Sequence, residues 1–392
     1  MGGRVVALTV ATASVALAAA LGGGALASGA DGACAGVPRA PAGLPAPVWI
    51  STRCGRFAVL PDGEIVRRAA GRGEEDGPWP RGALDRSGDT WLLQRRGHLV
   101  VARGGKPLWR SAQPYRLGGT PHYLEATALG PRAVAFAFSD AELYVARFGG
   151  PERVAARGEQ PLFWTAAGQL VTFRWDRLGS PLFLRAADGR LLGRLPERMV
   201  NFAVAEDRRT VVFVTPEGVL VRTDGVRVER LADVHELGEA GVELPGGGLI
   251  VVHSDSSGRL LAFDSDGRPL GATPVERWPS ALAVSPDGDA LALVVSRWSS
   301  DYQEGTDAVL VLRRGKEEAT RLYEREQHGS PCGRGVTLAW HGDDLLFSTT
   351  EGALVALDTT GARPPVDLTE TVAAMPGGPP RFSPVWEAAG PG

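Results

Sequence analysis

The stretch SALAVSPDGDALALVVSRWSS, Ser280 to Ser300, contains the pattern that decides the fold. A Ser-Pro-Asp-Gly sequence separates two apolar runs, and its residues suit a tight turn. Pro286 fixes φ at the second turn position, Asp287 tolerates the third, and Gly288 adopts the left-handed conformation that closes a hairpin. The run Ala290–Val295 that follows is apolar throughout, which is typical of a strand covered on both faces. The stretch therefore predicts a β-hairpin inside a layered structure.

The hairpin belongs to a predicted unit of four antiparallel strands. A third strand is predicted at Ala308–Arg314 and a fourth at Ala319–Arg325, with a tight Arg-Gly-Lys turn between them. The same order of strands and turns recurs along the chain at a mean spacing of about 41 residues. The first-hairpin turns of the eight units fall near Gly55, Gly88, Gly130, Gly168, Arg208, Gly247, Gly288 and Gly342.

Four-stranded units at a period of about 40 residues predict an all-β fold, a β-propeller whose blades pack around a channel. We expect eight blades, with seven as the alternative, because the first unit, Ala46–Gly71, shows no clear fourth strand. Two separate β-sandwiches are a further alternative, although no interdomain linker interrupts the series. The stretch RFSPVW, Arg381–Trp386, resembles one more first strand. It either pairs beside Ala46–Thr52 and closes the ring, or belongs to a disordered tail.

The N-terminus predicts export. Arg4, the apolar run Val5–Leu21 and an Ala-Leu-Ala exit form a secretory signal peptide, with cleavage after Ala27. The alternative is an uncleaved anchor, since Val5–Ala27 is just long enough to span a bilayer. Cleavage predicts a secreted or cell-envelope protein without membrane insertion. The predicted order is signal peptide (1–27), Pro/Ala-rich arm (28–46), propeller (47–370) and Pro/Gly-rich tail (371–392).

The composition is that of a globular protein with no strong charge preference. Hydrophobic residues make up 44% of the chain and charged residues 22%, and the net charge is −3. Removing Arg4 with the signal peptide makes the mature charge −4. This balance leaves no basic footprint for nucleic acid, which we therefore do not expect as a partner. We expect a monomer.

Three cysteines, Cys34, Cys54 and Cys332, would meet an oxidising compartment, where they allow one disulfide and one remaining thiol. A Cys34–Cys54 bond would close a loop of about 20 residues and contribute about 3 kcal/mol in the chain-entropy model. A Cys54–Cys332 bond would tie the first repeat to the last, for about 5 kcal/mol before strain. We favour the short loop. The spacing fits no zinc site.

Two kinds of repeat resemble those of known propeller families. Ser280–Ser296 resembles the Ser-Pro-Asp-Gly repeat of TolB-like and WD-repeat propellers. GRLLAFDSDGRPLG (Gly258–Gly271) and GALVALDTTGARPP (Gly352–Pro365) resemble the repeats of quinoprotein-like propellers of the BamB type. The resemblance covers nearly the whole mature chain at the level of the blade, so it implies the fold and not a partner. The Gly-His and Trp-Asp dipeptides of WD repeats are missing, and the tryptophan that ends quinoprotein-like repeats occurs once at most, as Trp109.

The sequence lacks the common enzymatic motifs. It contains no Gly-x-Ser-x-Gly elbow, no His-Glu-x-x-His, no P-loop and no Gly-x-Gly-x-x-Gly after a strand. Asp264–Gly267 (DSDG) resembles the start of a calcium loop, but no glutamate follows at the twelfth position, so we expect a β-turn. Asp85–Trp91 nearly matches the Asp-box of sialidase-like propellers, yet it lacks the leading serine and falls in the first hairpin. We predict no catalytic residue, no cofactor and no metal.

Candidate binding residues lie in the connections between second and third strands and between blades, which emerge on one face of a propeller. These connections are long and aromatic-rich, whereas first-to-second connections are nearly all tight turns. Tryptophan, tyrosine and arginine are the residues that anchor interfaces. The alternative role of these aromatics is to cap blade ends. The predicted main contact loop, Ser296–Asp307, supplies Arg297, Trp298, Asp301 and Tyr302, and the residues predicted around the mouth are Arg174, Trp175, Tyr115 and Arg116.

These patterns favour a non-enzymatic, secreted or envelope-associated propeller that binds a protein, peptide or glycan on its loop-rich face. The alternative is a glycan- or peptide-acting hydrolase or lyase with carboxylates at the channel mouth. A propeller fold cannot decide between them, because propellers host many functions.

Overall fold

The computed structural model describes most of the region predicted to contain the repeats, and within it the chain is nearly all β. The described residues are 36–52, 54–68, 83–112, 124–139, 142–205, 207–237, 240–254, 257–275, 279–298, 304–328, 335–349, 352–376 and 385–386. Their strands form eight four-stranded antiparallel sheets. The fold is therefore the predicted eight-bladed β-propeller. The predicted signal peptide lies outside the described residues.

The strands follow the chain in order. The first three are β1 (Val48–Thr52), β2 (Gly55–Val59) and β3 (Ile65–Arg68). Blade 2 contains β4 (Ala83–Ser87), β5 (Thr90–Arg95), β6 (His98–Arg103) and β7 (Lys106–Arg110). Blade 3 contains β8 (Leu124–Leu129), β9 (Ala133–Phe138), β10 (Glu142–Arg147) and β11 (Arg153–Arg157). Blade 4 contains β12 (Gln160–Trp164), β13 (Leu170–Phe173), β14 (Ser180–Arg185) and β15 (Leu191–Met199). Blade 5 contains β16 (Asn201–Val204), β17 (Val211–Val214), β18 (Val219–Thr223) and β19 (Val228–Asp233).

The second half of the ring continues the series. Blade 6 contains β20 (Gly241–Gly246), β21 (Leu249–Ser254), β22 (Arg259–Phe263) and β23 (Pro269–Pro274). Blade 7 contains β24 (Pro279–Val284), β25 (Ala290–Trp298), β26 (Glu304–Arg313) and β27 (Thr320–His328). Blade 8 contains β28 (Val336–His341), β29 (Asp344–Thr349), β30 (Leu354–Asp358) and β31 (Val366–Asp367). A 3-10 turn (His235–Leu237), the helix α1 (Thr369–Ala373) and the last strand, β32 (Val385–Trp386), complete the described elements.

The four strands of each blade are called A, B, C and D, from the innermost strand beside the channel to the outermost strand. The A strands of successive blades contact one another, for example β8 with β12, β16 with β20, and β24 with β28. Because neighbouring strands are antiparallel, the A–B and C–D connections leave at one end, the lower face. The B–C and D–A connections leave at the other end, the upper face. This topology gives the propeller one face for each class of connection.

The two chain ends build blade 1 together. β32 pairs antiparallel with β1, with Val48 opposite Trp386 and Trp49 opposite Val385. β32 also contacts β28, as an A strand of the neighbouring blade should. This is the pairing expected of the Arg381–Trp386 stretch. It also corrects one expectation: the turn at Gly55 joins strands B and C of its blade, because the C-terminus supplies strand A.

The core lies between the blades. Seven apolar clusters join consecutive blades, from blade 2 through blade 8 to blade 1. Leu291 and Leu293 of β25 pack toward blade 6, whereas Ala292 and Val294 pack toward blade 8. This two-sided burial explains why the run predicted at Ala290–Val295 is apolar throughout. In the part of the chain that the structure describes, no such cluster lies between blades 1 and 2.

Blade 7 departs from the predicted loop at Ser296–Asp307. β25 continues to Trp298 and β26 begins at Glu304, so most of the predicted loop is paired strand. β27 pairs with the same part of β26, from Ala308 to Glu304. We call residues 296–298, 304–307 and 325–328 the blade 7 extension. These polar residues form strands because they pair with one another at the upper end of the blade.

An ion pair joins two blades that are not neighbours, at the lower end of the channel. Asp85 of β4 in blade 2 is 2% exposed and accepts hydrogen bonds from the backbone N–H groups of Arg86 (2.8 Å) and Leu129 (2.9 Å). Arg208, in the A–B turn of blade 5, places its Nε 3.6 Å from the same carboxylate. Burial raises the pKa of Asp85, and the charge of Arg208 partly offsets that effect. Arg208 therefore connects the two sides of the ring.

Candidate binding surface on the upper face

The B–C loop of blade 4, residues 174–179, presents two large apolar side chains on the upper face. Trp175 is 47% exposed and Leu178 is 77% exposed. Val200, in the D–A connection that follows the same blade, is 36% exposed. We call Trp175, Leu178 and Val200, with the flanking Arg174 and Arg198, the blade 4 patch. Large exposed apolar side chains close together mark interaction sites more often than isolated ones do.

Local hydrogen bonds hold this loop in one conformation. Asp176 accepts the N–H of Leu178 at 2.8 Å on its side chain, and the N–H of Gly179 at 3.1 Å on its carbonyl. The Asp176 N–H donates to Ser180 Oγ at 3.2 Å. Gly179 has a φ of +104°, and a Cβ there would lie 2.6 Å from Pro216 Cγ. The loop therefore displays Leu178 from a fixed turn that requires glycine.

The Trp175 ring packs against two other aromatic side chains. Its ring meets Phe173 edge-on with centroids 5.0 Å apart, and it lies 6.4 Å from Phe202 of blade 5. Phe173 is buried at 1% exposure and itself packs edge-on against Phe202 at 5.1 Å. Such pairs contribute about 0.5–1.5 kcal/mol beyond the buried area. These contacts fix one side of the Trp175 ring, and the other side is exposed to solvent.

A buried carboxylate positions the arginines beneath the patch. Glu159, 1% exposed, accepts two hydrogen bonds from Arg185, at 2.8 and 2.7 Å, and one from Thr172 Oγ1 at 2.6 Å. Arg174 places its guanidinium Nη2 3.5 Å from Oε1 of the same carboxylate, and its guanidinium carbon lies 5.6 Å from the centroid of the Phe183 ring. The Arg174 side chain is nevertheless 54% exposed. Its charge is therefore held in place at the surface.

The structure separates the residues that the sequence grouped together. Arg174 and Trp175 lie in the B–C loop of blade 4, as predicted. Arg297 lies inside β25 and lines a cavity of about 180 Å³ with Val275, which follows blade 6. The Trp298 backbone pairs with Gly305 in the blade 7 extension. Blades 4 and 7 are three positions apart in the ring. The predicted contact residues Tyr115, Arg116, Asp301 and Tyr302 lie outside the described residues.

The sequence did not single out Leu178, Val200 or Phe202. The sequence did contain a signal for Leu178. This residue is apolar and lies beside a glycine in the predicted loop RWDRLGS, so no strand was predicted that could bury it. Phe202 belongs to the first strand of blade 5, so only the fold brings it to Trp175.

The predicted disulfide stays a prediction. Cys54 lies in the B–C turn of blade 1 and is 7% exposed, with its N–H donating to Thr52 Oγ1 at 3.0 Å. Both possible partners, Cys34 and Cys332, lie outside the described residues.

The channel mouth carries carboxylates on separate blades. Glu125 of β8 accepts a hydrogen bond from Gln160 Nε2 at 2.7 Å. Glu243 of β20 lies 3.6 Å from the buried His253 of β21. Within the described ranges, no group of three or more His, Cys, Asp or Glu side chains is arranged to hold a metal ion. No helix in those ranges is both long and apolar enough to cross a bilayer.

Comparison with known proteins finds similar solved structures but no relative by sequence. No family model and no curated relative matches the chain. Among solved structures, the chain is similar to BamB from Moraxella catarrhalis, at 15% identity and a TM-score of 0.41, over 71% of this chain and 86% of that one. It is also similar to the C-terminal WD40 domain of Sif2, at 13% identity and a TM-score of 0.43, over 79% and 85% of the two chains.

A third similar structure is apo AztD from Citrobacter koseri, at 10% identity and a TM-score of 0.44, over 86% of this chain and 97% of that one. Identities this low limit the likeness to the fold. The assignment as a propeller rests on the eight four-stranded sheets, and the chain is similar to BamB and WD-repeat propellers, the resemblance that the repeats predicted.

Proposed function

We propose that this protein is a secreted or cell-envelope propeller that binds a protein, peptide or glycan partner through the blade 4 patch. The observation that carries the proposal is the pair Trp175 and Leu178, held outward on a loop fixed by its own hydrogen bonds. A rigid aromatic anchor loses little conformational entropy on binding. Arg174 and Arg198 add donors at the edge of the apolar surface, which is the usual composition of an interface hot spot.

A pull-down from the producing cell's envelope and culture fluid tests this proposal. The bait is the mature protein, compared with the double variant Trp175→Ala/Leu178→Ser. The matched control is Leu191→Ser/Val226→Ser, which removes two apolar side chains, 51% and 68% exposed, from elsewhere on the surface. We expect partners on the wild type and on the control, and none on the patch variant. The assignment of the partner to the blade 4 patch would be contradicted if the patch variant retained the partners, or if the control variant lost them as well.

Export and the disulfide belong to the same proposal and have a direct readout. We expect the protein from culture fluid or envelope to begin after Ala27, by N-terminal sequencing. Non-reducing peptide mapping should find Cys54 linked to Cys34. A Cys54–Cys332 link would instead connect the first and last repeats. A protein that still begins at Met1 would indicate an uncleaved anchor.

A further inference from the structure

A groove crosses the outer rim of blades 5, 6 and 7 and shares no residue with the blade 4 patch. It encloses about 970 Å³, near the upper end of the range for small-molecule pockets. One wall is the end of β19 in blade 5, the floor is β22 and β23 of blade 6, and the other wall is the C–D turn of blade 7. We call this the rim groove. Its length across three blades suits an extended chain better than a compact ligand.

Close packing holds the three blades around the groove. A Cβ at Gly267, where φ is +79°, would lie 2.5 Å from the carbonyl oxygen of Leu231 in β19. On the opposite side, the Gly315 N–H donates to the Leu270 carbonyl at 2.9 Å. A Cβ at Gly271 would lie 2.7 Å from the carbonyl oxygen of Lys316. The groove is therefore bounded by contacts between blades that leave no room for added side chains.

The floor is apolar. Phe263 and Leu270 are 5% and 7% exposed and present their remaining surface to the groove, beside the half-buried Leu261. Ala272 opens further space because its side chain ends at Cβ. An apolar floor of this kind binds aliphatic side chains by the hydrophobic effect.

Carboxylates stand on both walls. Asp233 and Glu236 belong to the blade 5 side, and Glu317 and Glu318 to the blade 7 side. Two cations, Arg259 and Lys316, also line the groove, and Arg259 Nη1 lies 3.1 Å from Glu236 Oε2. A hydrogen bond from His235 at 2.6 Å lowers the pKa of Asp233, and the same contact raises the pKa of His235. Four carboxylates against Arg259, Lys316 and the partly charged His235 leave a net negative charge, which favours a basic occupant and disfavours nucleic acids and acidic glycans.

The outer strand of blade 6 offers only a short edge for strand addition. β23 begins at Pro269 and ends at Pro274, neither of which has an N–H to donate. The Leu270 carbonyl already accepts a hydrogen bond from Gly315. We therefore expect recognition to depend more on the side chains of the occupant than on its backbone.

We propose that the rim groove binds an extended peptide segment of another protein, with aliphatic side chains on the floor and lysine or arginine at each wall. Charge complementarity with the two acidic walls selects this occupant. The site is a second binding surface, independent of the blade 4 patch.

Selection of a random peptide library on the immobilised mature protein tests the proposal. We expect enriched sequences with basic residues on either side of an aliphatic run. The best enriched peptide is then synthesised, labelled and titrated against wild type and variants by fluorescence anisotropy. Glu317→Gln/Glu318→Gln should weaken binding about tenfold, with an effect that shrinks in high salt. Ala272→Trp, which fills the groove, should abolish binding.

The matched control is Asp62→Asn/Glu64→Gln, in the equivalent C–D turn of blade 1, where both carboxylates are exposed. It should bind like wild type. Unchanged affinity in both groove variants would overturn the proposal, as would enriched peptides without basic residues. Binding lost only in Trp175→Ala/Leu178→Ser would assign the peptide to the blade 4 patch. A dimer in sedimentation that Ala272→Trp dissociates would make a second copy the occupant and overturn it too.

Discussion

Blades 1 and 7 follow the same four-strand plan but are assembled in opposite ways. Blade 7 comes from one continuous segment, and its strands have 6, 9, 10 and 9 residues. Blade 1 takes three strands from the start of the chain and a two-residue strand, β32, from its end. Every strand pairing in blade 7 is local in sequence, whereas the pairing of Val48 with Trp386 joins residues at opposite ends of the chain.

The difference shows where a closed ring is weakest. Bringing distant segments together costs more loop-closure entropy than forming a hairpin. Blade 1 must offset that cost with a two-residue inner strand and with the core cluster it shares with blade 8 around Ile50 and Phe57. Blade 7 instead shares clusters with both neighbours. We therefore expect blade 1 to open at a lower free energy than blade 7.

The largest expected effect comes from removing the closing strand. Deletion of residues 377–392 leaves β1 without its inner partner and exposes the edge beside Val48 and Ile50, which are both 0% exposed. We expect the free energy of unfolding to fall by about 3–5 kcal/mol. Denaturant titration measures it.

Two further deletions sharpen this test. Removal of residues 387–392 alone keeps β32 and should lower stability much less than the loss of β32 does. Replacement of residues 299–303 in blade 7 by a short glycine-containing turn should cost less than about 1 kcal/mol, because the four strands of that blade stay paired. If the blade 7 change costs as much as the loss of β32, closure is not the weak point of the ring.

Core truncations in the two blades should lower stability by similar amounts but change the shape of the transition differently. Ile50→Ala and Leu293→Ala each remove a side chain that is 0% exposed, at a cost of about 2–5 kcal/mol. In Leu293→Ala we expect one calorimetric transition at a lower temperature. In Ile50→Ala we expect a separate early transition, because blade 1 detaches first. Single transitions in both variants would show that the ring unfolds as one unit.

The smallest effect concerns blade 8, which separates the two compared blades. Asp358 ends β30 and accepts hydrogen bonds from Thr360 Oγ1 at 2.6 Å, Thr360 N at 2.9 Å and Arg363 N at 2.9 Å. These bonds, led by the Thr360 hydroxyl, lower the pKa of Asp358 from its usual 3.8 to about 2. A lowered carboxyl pKa stabilises the fold above the unfolded value, and that contribution is lost as pH falls.

The measurement is the thermal midpoint of wild type and Asp358→Ala between pH 6 and pH 2. Wild type should be the more stable protein above about pH 4, and the difference should vanish as pH falls to about 2. A difference that stays constant through this window would mean that the Asp358 charge does not contribute.

Local turn chemistry was sufficient to predict the blades. At Ser285–Gly288 the Gly288 N–H donates to the Ser285 carbonyl at 2.9 Å, and Gly288 has a φ of +76°, as the Ser-Pro-Asp-Gly pattern required. Asp264 accepts N–H groups from Asp266 and Arg268, both at 2.9 Å, which confirms a plain turn there. Residues within one turn determine such contacts, so they can be read from sequence order.

Contacts that reach beyond a single turn could not be predicted in this way. The strand character of Ser296 and Asp307 depends on mutual pairing and on a 2.7 Å hydrogen bond from Ser296 Oγ to Asp307, which is 0% exposed. Hydrophobic periodicity does not detect a polar sheet. The rim groove is formed by residues from three blades. Gly55 was assigned to the wrong hairpin because the inner strand of its blade, β32, comes from the other end of the chain.

The ion pair between Asp85 and Arg208 makes the lower opening of the ring narrower on one side. Blades 2 and 5 are separated by two others, so the contact extends across the lower opening of the channel. A solute that passes between these two blades at the lower opening would meet this contact, whose carboxylate is 2% exposed. A charged contact between two blades that are not neighbours therefore crosses part of the lower opening of the propeller.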